Sequence, residues 1–422
     1  MNLSLLHGRL REQMSLFLGN LQGAPKTARR FCLETLYGIS VRQSVRLSEI
    51  ARSLGETIPL IKTENRLSRQ AAREGLWETL TRFVVERSAH KIGDQTLLVI
   101  DPSDLAKKHG RRMEHLATVR DGSDGGYANG YWLCQVVAVE RGGREITPLV
   151  NRLWSQAAPG HLSENDEVLA CVAAVTDVVG SKGIWVMDRG GDRMSVMEVL
   201  LAQERRFLIR LVGNRHLIWN GKRVLAETLA ARCPIKYIEH VVKERPDGAE
   251  HRLELGFGVR RVALPAFPNT PLRLVALKGF GEKPLMILTT EPLADSRQSL
   301  WWAVEAYLTR WRVEDTLRFA KQTYRLEDVR VLGYESLRNM MALALLAMSF
   351  TMLWLGQREK LAILAHHALD AAKRLFGIAD FRYYALADGL AEILSKRIAP
   401  AFDKTTPANP NIQLDLFGFS SA

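Results

Sequence analysis

The chain has 422 residues, 47% hydrophobic and 25% charged, enough to bury a sizeable core and to divide into two or three domains. Its formal net charge of +12 points to polyanionic partners and carries no information about fold. Cys32, Cys134, Cys171 and Cys233 are scattered, with no CxxC pair and no histidine at zinc spacing, so neither a disulfide framework nor a structural zinc site is supported and a reducing, cytoplasmic setting is expected.

The opening MNLSLLHGRLREQMSLFLGNL lacks the uninterrupted apolar core of a secretory signal. Residues 1–90 read as a helical domain with fourteen Lys or Arg against eight Asp or Glu, so half of the net excess lies in about a fifth of the chain. Lys26 to Ile39 is periodic. Leu47 to Leu54 has Ser48 placed as a cap, Gly55 breaks it, and Pro59 to Arg73 resumes the helix with Lys62, Arg66, Arg69 and Arg73. A short helix, a glycine turn and a basic helix resemble a helix-turn-helix, which makes Lys62, Arg66 and Arg69 candidate DNA contacts. Similar helix pairs also occur in α-domains that read no DNA.

Residues 91–213 alternate strands and helices. Thr96 to Ile100, TLLVI, is an apolar β-branched run ending in Asp101-Pro102, the pattern of a buried central strand with a carboxylate at its end. Tyr131 to Glu140 and Glu145 to Trp154 form a hairpin, and a helix from Ser163 to Val179 leads to a second buried strand, Gly183 to Met187, ending in Asp188-Arg189-Gly190-Gly191. Another helix to about Gln203 and a strand from Arg206 to Leu211 follow. Three meandering strands, then helix, strand, helix, strand, is the order of ribonuclease H-like nuclease domains. An aspartate after a strand is often only a turn former or cap, but two of them share the sheet edge where open α/β sheets place ligands. Lys107, Lys108, Arg111 and Arg112 make a basic cluster that reads either as a solvated loop or as a DNA-backbone patch.

Residues 214–298 change to short strand-like pieces, His251 to Val259, Leu272 to Leu277 and Leu285 to Thr289, a β-rich insertion in the catalytic core. The core resumes over 299–356. Read as one helix, Tyr307 to Lys321 places Tyr307, Arg310, Glu314 and Lys321 within roughly 60° of one another at about 100° per residue, with Arg318 beside them. Such a row could follow successive phosphates, while Glu314 is the residue type that holds a divalent cation among them. The alternative is a solvated amphipathic helix laced with Glu-Arg pairs. Met340 to Gly356 is apolar but shorter than the about 20 residues of a bilayer span, so a buried core helix and no membrane is expected. Residues 357–422 read as helices near Glu359 to Leu375 and Leu386 to Arg397, then a Pro- and Asn-rich tail from Ala399. His161 and His366-His367 lack ligand spacing and are assigned no chemistry.

The fold expected is thus α/β, a ribonuclease H-like mixed sheet interrupted by a β-rich insertion, with an all-α N-terminal region and a helical C-terminus. Tyr307-x2-Arg310-x3-Glu314-x6-Lys321 resembles the Y-R-E-K signature of DDE transposases of bacterial insertion sequences, specifically the insertion sequence four family. Val119-Arg-Asp-Gly-Ser123, Gly130-Tyr-Trp132, Asp188-Arg-Gly190 and Ile209 to Arg215 agree with it. The resemblance implies that Asp101, Asp188 and Glu314 are the catalytic, metal-binding triad. It implies that Tyr307 and Arg310 contact transposon-end DNA near the cleaved phosphate and that Lys321 contacts the end's backbone or the scissile region. Pro102-Ser103-Asp104 departs from the usual hydroxyl run and makes Asp104 a rival to Asp101.

Three clustered carboxylates repel unless a metal neutralises them. Two Mg²⁺ ions about 3.5 to 4 Å apart, or Mn²⁺ in their place, would activate a water and stabilise the leaving oxygen of an in-line displacement. The resemblance further implies a hairpin intermediate with a flipped base stacked on an insertion-domain tryptophan, for which Trp219 is the candidate with Trp301 or Trp302 behind it. The implied partners are terminal inverted repeats and target DNA, with a homodimer joining two ends in a bacterial, nucleoid-associated setting. A metal-dependent nuclease of the same fold and a catalytically silent, transposase-derived DNA-binding protein remain as alternatives.

Overall fold

The computed structural model describes residues 3–19, 21, 24–108, 110–122, 125–143, 145–244, 250–356, 366–367, 381–396 and 401–402. Apart from His366-His367, the helix expected over Glu359 to Leu375 lies outside these residues, as do Ser123 and the tail from Ala399 except 401–402.

One mixed sheet organises the chain. Its centre is β1 (Leu97–Ala106), paired antiparallel with β3 (Tyr127–Val139) on one edge and parallel with β5 (Ile184–Met187) on the other. The outer edge of β3 takes β4 (Ile146–Trp154) and the short β2 (Ala117–Arg120), while β6 (Phe207–Arg210) runs parallel to β5. Three antiparallel and then parallel strands make the ribonuclease H-like arrangement expected from the order of elements. The β-rich segment does not stand apart from it. β12 (Leu285–Thr289) pairs with β6 and continues through β11 (Phe267–Lys278) to β10 (Glu250–Leu264), which β7 (His216–Trp219) and β9 (Tyr237–Glu244) flank; β8 (Lys222–Leu225) pairs with β7.

Period-two alternation assigns each strand residue to a face. Leu97, Val99, Ile184, Val186 and Leu208 join the core beneath the helices of the N- and C-terminal regions. Leu98, Ile100, Trp185, Met187, Phe207 and Ile209 join a second core with α6 (Glu164–Val179) and α7 (Met194–Ala202). On the first face, α1 (Leu3–Leu18), α2 (Lys26–Arg42), α3 (Leu47–Leu54), α4 (Leu60–Ala71) and α5 (Leu76–Ser88) gather around α11 (Tyr334–Ser349). That helix continues as a π-helical stretch, Phe350–Leu355, and 94% of its apolar window is buried inside the protein, which makes it the expected core helix. A glycine in the left-handed region, Gly55 at φ +56°, turns α3 into α4 as the sequence pattern required. The last described helix, α12 (Tyr383–Ser395), packs on α2.

Two elements differ from expectation. β1 does not stop at Asp101-Pro102 but runs on to Ala106, still paired with β3 through Ala106 and Gly130; only its pairing with β5 ends, at Ile100 opposite Met187. Tyr307 to Lys321 is also not one regular helix. It comprises the end of α9 (Arg297–Thr309) and most of α10 (Trp311–Thr323), joined at Arg310, where the bonds Arg310 N to Tyr307 O and Val313 N to Arg310 O, both 3.1 Å, tighten the junction to three-residue spacing.

Asn339 of α11 is fully buried and donates through Nδ2 to the carbonyls of Ala71, at 2.8 Å, and Arg73, at 2.7 Å, closing the C-terminal end of α4 onto the core helix. Asn339→Leu keeps the branched shape, adds volume and removes both donors, so it should lower unfolding free energy by about 1–3 kcal/mol. The check is the urea midpoint; an unchanged midpoint would show that these bonds do not anchor α4.

Candidate active site

Strand register brings the two aspartates together. Ile100 and Met187 are the last bridged pair between β1 and β5, so the next residue on each strand, Asp101 and Asp188, emerges side by side. Each stands two residues beyond a side chain of the α9–α11 core, Val99 and Val186, and therefore points to the same face. Asp188 also caps a short 3₁₀ turn, Arg189–Gly191, accepting from the Arg189 amide. Gly191 is required there because a Cβ would lie 2.5 Å from Cβ of Met187. From above, α10 adds Glu314.

The three carboxylates meet on one guanidinium. Arg310, whose side chain is only 5% exposed, places Nη2 3.1 Å from Glu314 Oε1 and 3.9 Å from Asp188 Oδ2, and Nη1 3.7 Å from Asp101 Oδ2. Because Asp188 and Glu314 approach the same nitrogen, their oxygens cannot stand further apart than those two distances together. Arg210 adds a second cation, 3.9 Å from Asp188. Burial pushes the Asp101 carboxyl up to about 7, opposed by Arg310 and reinforced by the charges of Glu314 and Asp188. Burial opposes the charge of Arg310, and Asp188, Tyr307, Asp101 and Glu314 more than offset that, holding the guanidinium charged. Tyr307 is buried beneath, its phenol pushed up first by burial and then by Asp188, so it remains a neutral hydroxyl beside Arg210.

This donor set suits a hard divalent cation: three carboxylates and no soft ligand, gathered with a single full positive charge among them. Among the described residues, however, no group of three or more His, Cys, Asp or Glu stands close enough to hold a metal as placed. The Arg310 guanidinium stands between the three carboxylates.

The other expected residues divide sharply. Asp104 is buried and turned elsewhere, accepting from the Gly122 amide at 3.2 Å and facing Lys321 Nζ at 3.4 Å; Lys321 also pairs with Glu327 at 3.0 Å. Asp104 therefore stands apart from the group around Arg310. Arg318 is largely exposed and pairs with Asp315 at 3.3 Å. Trp219 is half-buried on β7 with the Arg260 guanidinium 4.6 Å above its ring, and Trp301 packs on Phe257. On α4, Lys62 and Arg69 are exposed, but Arg66 turns inward and pairs with buried Glu34 and with Glu56. One residue next to the site was missed. Trp311 is 51% exposed and lies beside Arg310, 5.9 Å from guanidinium carbon to ring centre; its place adjoining Arg310 in sequence was the available signal.

The loop after β1 builds a basic cleft of about 630 Å³ with the segment after α10, lined by Lys108, Arg111, Arg112 and Arg330. Lys107 forms part of its wall, its ammonium buried and donating to the carbonyls of Glu327 and Val329, and burial brings its pKa down to about 8.

The family described as "Transposase DDE domain" matches residues 93–350, well over half of the chain, and the chain belongs to that family. Membership implies an enzyme of DNA transposition and, with it, the use of divalent metal. Among solved structures, the chain is similar to a piggyBac transposase in a cryo-EM synaptic complex with hairpin DNA. The two are 11% identical with a TM-score of 0.45, covering 92% of this chain and 77% of that one. No curated protein matches.

Asp101 has a titration consequence. Its folded pKa, about 7, lies above the ordinary 3.8, so the folded state binds the proton more tightly. That contribution favours folding below about pH 4 and is lost as pH rises through about 7. In EDTA, Asp101→Asn should gain thermal stability relative to wild type as pH is raised across this window. A difference that does not change with pH would contradict the environment assigned to Asp101.

Proposed function

We propose that the chain is a cut-and-paste transposase of the insertion sequence four type, which binds terminal inverted repeats, cleaves phosphodiester bonds and transfers 3'-hydroxyl ends to target DNA. The observation that carries this reading is the convergence of Asp101, Asp188 and Glu314 on Arg310, from the point where two adjacent strands part and from one helix. These three carboxylates would hold the divalent cations, Mg²⁺ or Mn²⁺. Ions held there would activate the attacking water or 3'-hydroxyl and stabilise the leaving oxygen of an in-line displacement.

The protein's own groups do the rest. Asp101, rather than Asp104, is the ligand from β1 because Asp104 is committed to Lys321 and the Gly122 amide. Tyr307 braces Arg310 from below and keeps its proton. Arg310 is the cation nearest the scissile phosphate. Lys321, tied to Asp104 and Glu327, steadies the end of β1 and reaches DNA only by exchanging those partners. Arg318, with its exposed side chain, extends the positive row outward. For a flipped base and hairpin intermediate, Trp311 offers an exposed ring at the site, whereas Trp219 is covered by Arg260. End binding is assigned to the exposed face of α4, with Lys62 and Arg69 on the phosphates, while Arg66 holds the helix in place. Joining two ends calls for a homodimer, and the setting is the bacterial nucleoid.

Asp188→Asn should leave end binding within about twofold of wild type and abolish Mg²⁺-dependent cleavage, scored on a labelled duplex carrying the element's end. Cleavage at the wild-type rate would remove the metal role from Asp188. In filter binding, Lys62→Ala and Arg69→Ala should each weaken binding and reduce the salt slope by about one phosphate contact. Arg66→Ala should act instead through lowered stability, because it leaves buried Glu34 with one partner fewer. A full salt-slope change from Arg66→Ala with unaltered stability would reverse this division of labour.

A further inference from the structure

We propose that Arg310 is the built-in counter-ion of the carboxylate triad. It holds Asp101, Asp188 and Glu314 assembled in the free protein and leaves them for a DNA phosphate, so that divalent-metal loading is coupled to substrate binding. This rests on the reading of the three carboxylates as a metal site.

The first support is that the guanidinium occupies the middle of the group. Its Nη atoms lie within 4 Å of all three carboxylates while its side chain is 5% exposed, so any cation shared by those oxygens competes with it for the same place. The second is that its hold is loose. Only the contact to Glu314, at 3.1 Å, is at hydrogen-bonding distance; those to Asp101 and Asp188, at 3.7 and 3.9 Å, are Coulombic, and Nε is buried without a hydrogen bond. An arginine locked in place would show two short parallel bonds to one carboxylate. The third is position. Arg310 falls at the tightened junction of α9 and α10, the point in this segment where a small backbone change re-aims a side chain without unwinding either helix.

Energetics then set the order of events. In the free protein, moving Arg310 out of the group would strand a buried cation, and the carboxylates would lose the charge that faces all three of them, leaving Arg210 beside Asp188. A phosphate removes that penalty, because guanidinium and phosphate match in geometry and charge. The exchange leaves three carboxylates facing a divalent cation instead of a monovalent one. Affinity for metal and affinity for DNA must then raise one another by the same factor, whichever binds first.

The test is a Mn²⁺ titration of the full chain followed by electron paramagnetic resonance, without DNA and with a generic duplex whose own Mn²⁺ binding is subtracted. Without DNA, Arg310→Gln should bind Mn²⁺ on the order of ten- to a hundredfold more tightly than wild type. The duplex should tighten Mn²⁺ binding by wild type and scarcely change it in Arg310→Gln. Equal or weaker Mn²⁺ binding by the DNA-free variant overturns the proposal. Adding Asp188→Asn to Arg310→Gln should abolish the gain; a gain that survives places the ion elsewhere and overturns the metal-site reading itself. If Arg310→Gln does not fold, Arg310→Lys carries the test, because its single ammonium lacks the two-nitrogen span by which Nη1 faces Asp101 and Nη2 faces Asp188 and Glu314. It should bind Mn²⁺ more tightly than wild type, and wild-type affinity would overturn the proposal.

Discussion

Like charges brought together in a half-buried place are the constraint on which this structure turns. The place where β1 parts from β5, the end of β5 and a helix bring Asp101, Asp188 and Glu314 around one guanidinium, and an arrangement of that kind stands only with positive charge inside it. Arg310 supplies that charge. The dependence runs both ways, since a guanidinium so little exposed would be too costly without the acids around it. Much of the surrounding architecture serves this contact. The parallel register of β1 and β5 sets the aspartates adjacent, the pleat aims them at α9 and α10, and the buried face of those helices, through Tyr307, Val313 and Phe319, fixes the height of Arg310 above the sheet.

The fold was legible where one residue's neighbours in sequence decide its surroundings. β-branched apolar runs marked β1 and β5, and the helical spacing of Arg310 and Glu314 put them on one face. The errors have physical causes. Pro102 reads as a strand stop, yet beyond Ile100 the strand has lost its β5 neighbour, and a residue without an N–H is tolerated on a strand paired along one edge. The break at Arg310 left no trace in the spacing because Arg310 keeps right-handed helical angles, φ −50° and ψ −32°. Nothing local distinguished Arg66 from Lys62 and Arg69. Its inward turn depends on Glu34, thirty-two residues away, and on Glu56. The same limit separated Trp219 from Trp311, since exposure of a ring is settled by tertiary packing.

The strong positive balance of the chain is likewise less uniform than its sum suggests. Arg310, Arg66, Lys107 and Lys321 are spent internally, on carboxylates or backbone carbonyls. Among the cations left at the surface are those on α4, along the outer side of α10 and around the cleft lined by Arg111, Arg112 and Arg330. Internal cations set geometry and external ones set affinity, so charge counting alone reports neither the site nor the path of DNA. Both roles belong to one electrostatic design, in which a polyanion competes with the protein's own acids for its arginines.

The most direct measurement is the anomalous scattering of Mn²⁺ in crystals of the full chain bound to duplex DNA. The account predicts peaks coordinated by the carboxylates of Asp101, Asp188 and Glu314, with the Arg310 guanidinium displaced onto a phosphate. Peaks away from these three side chains, or Arg310 still seated among them beside a bound ion, would contradict it.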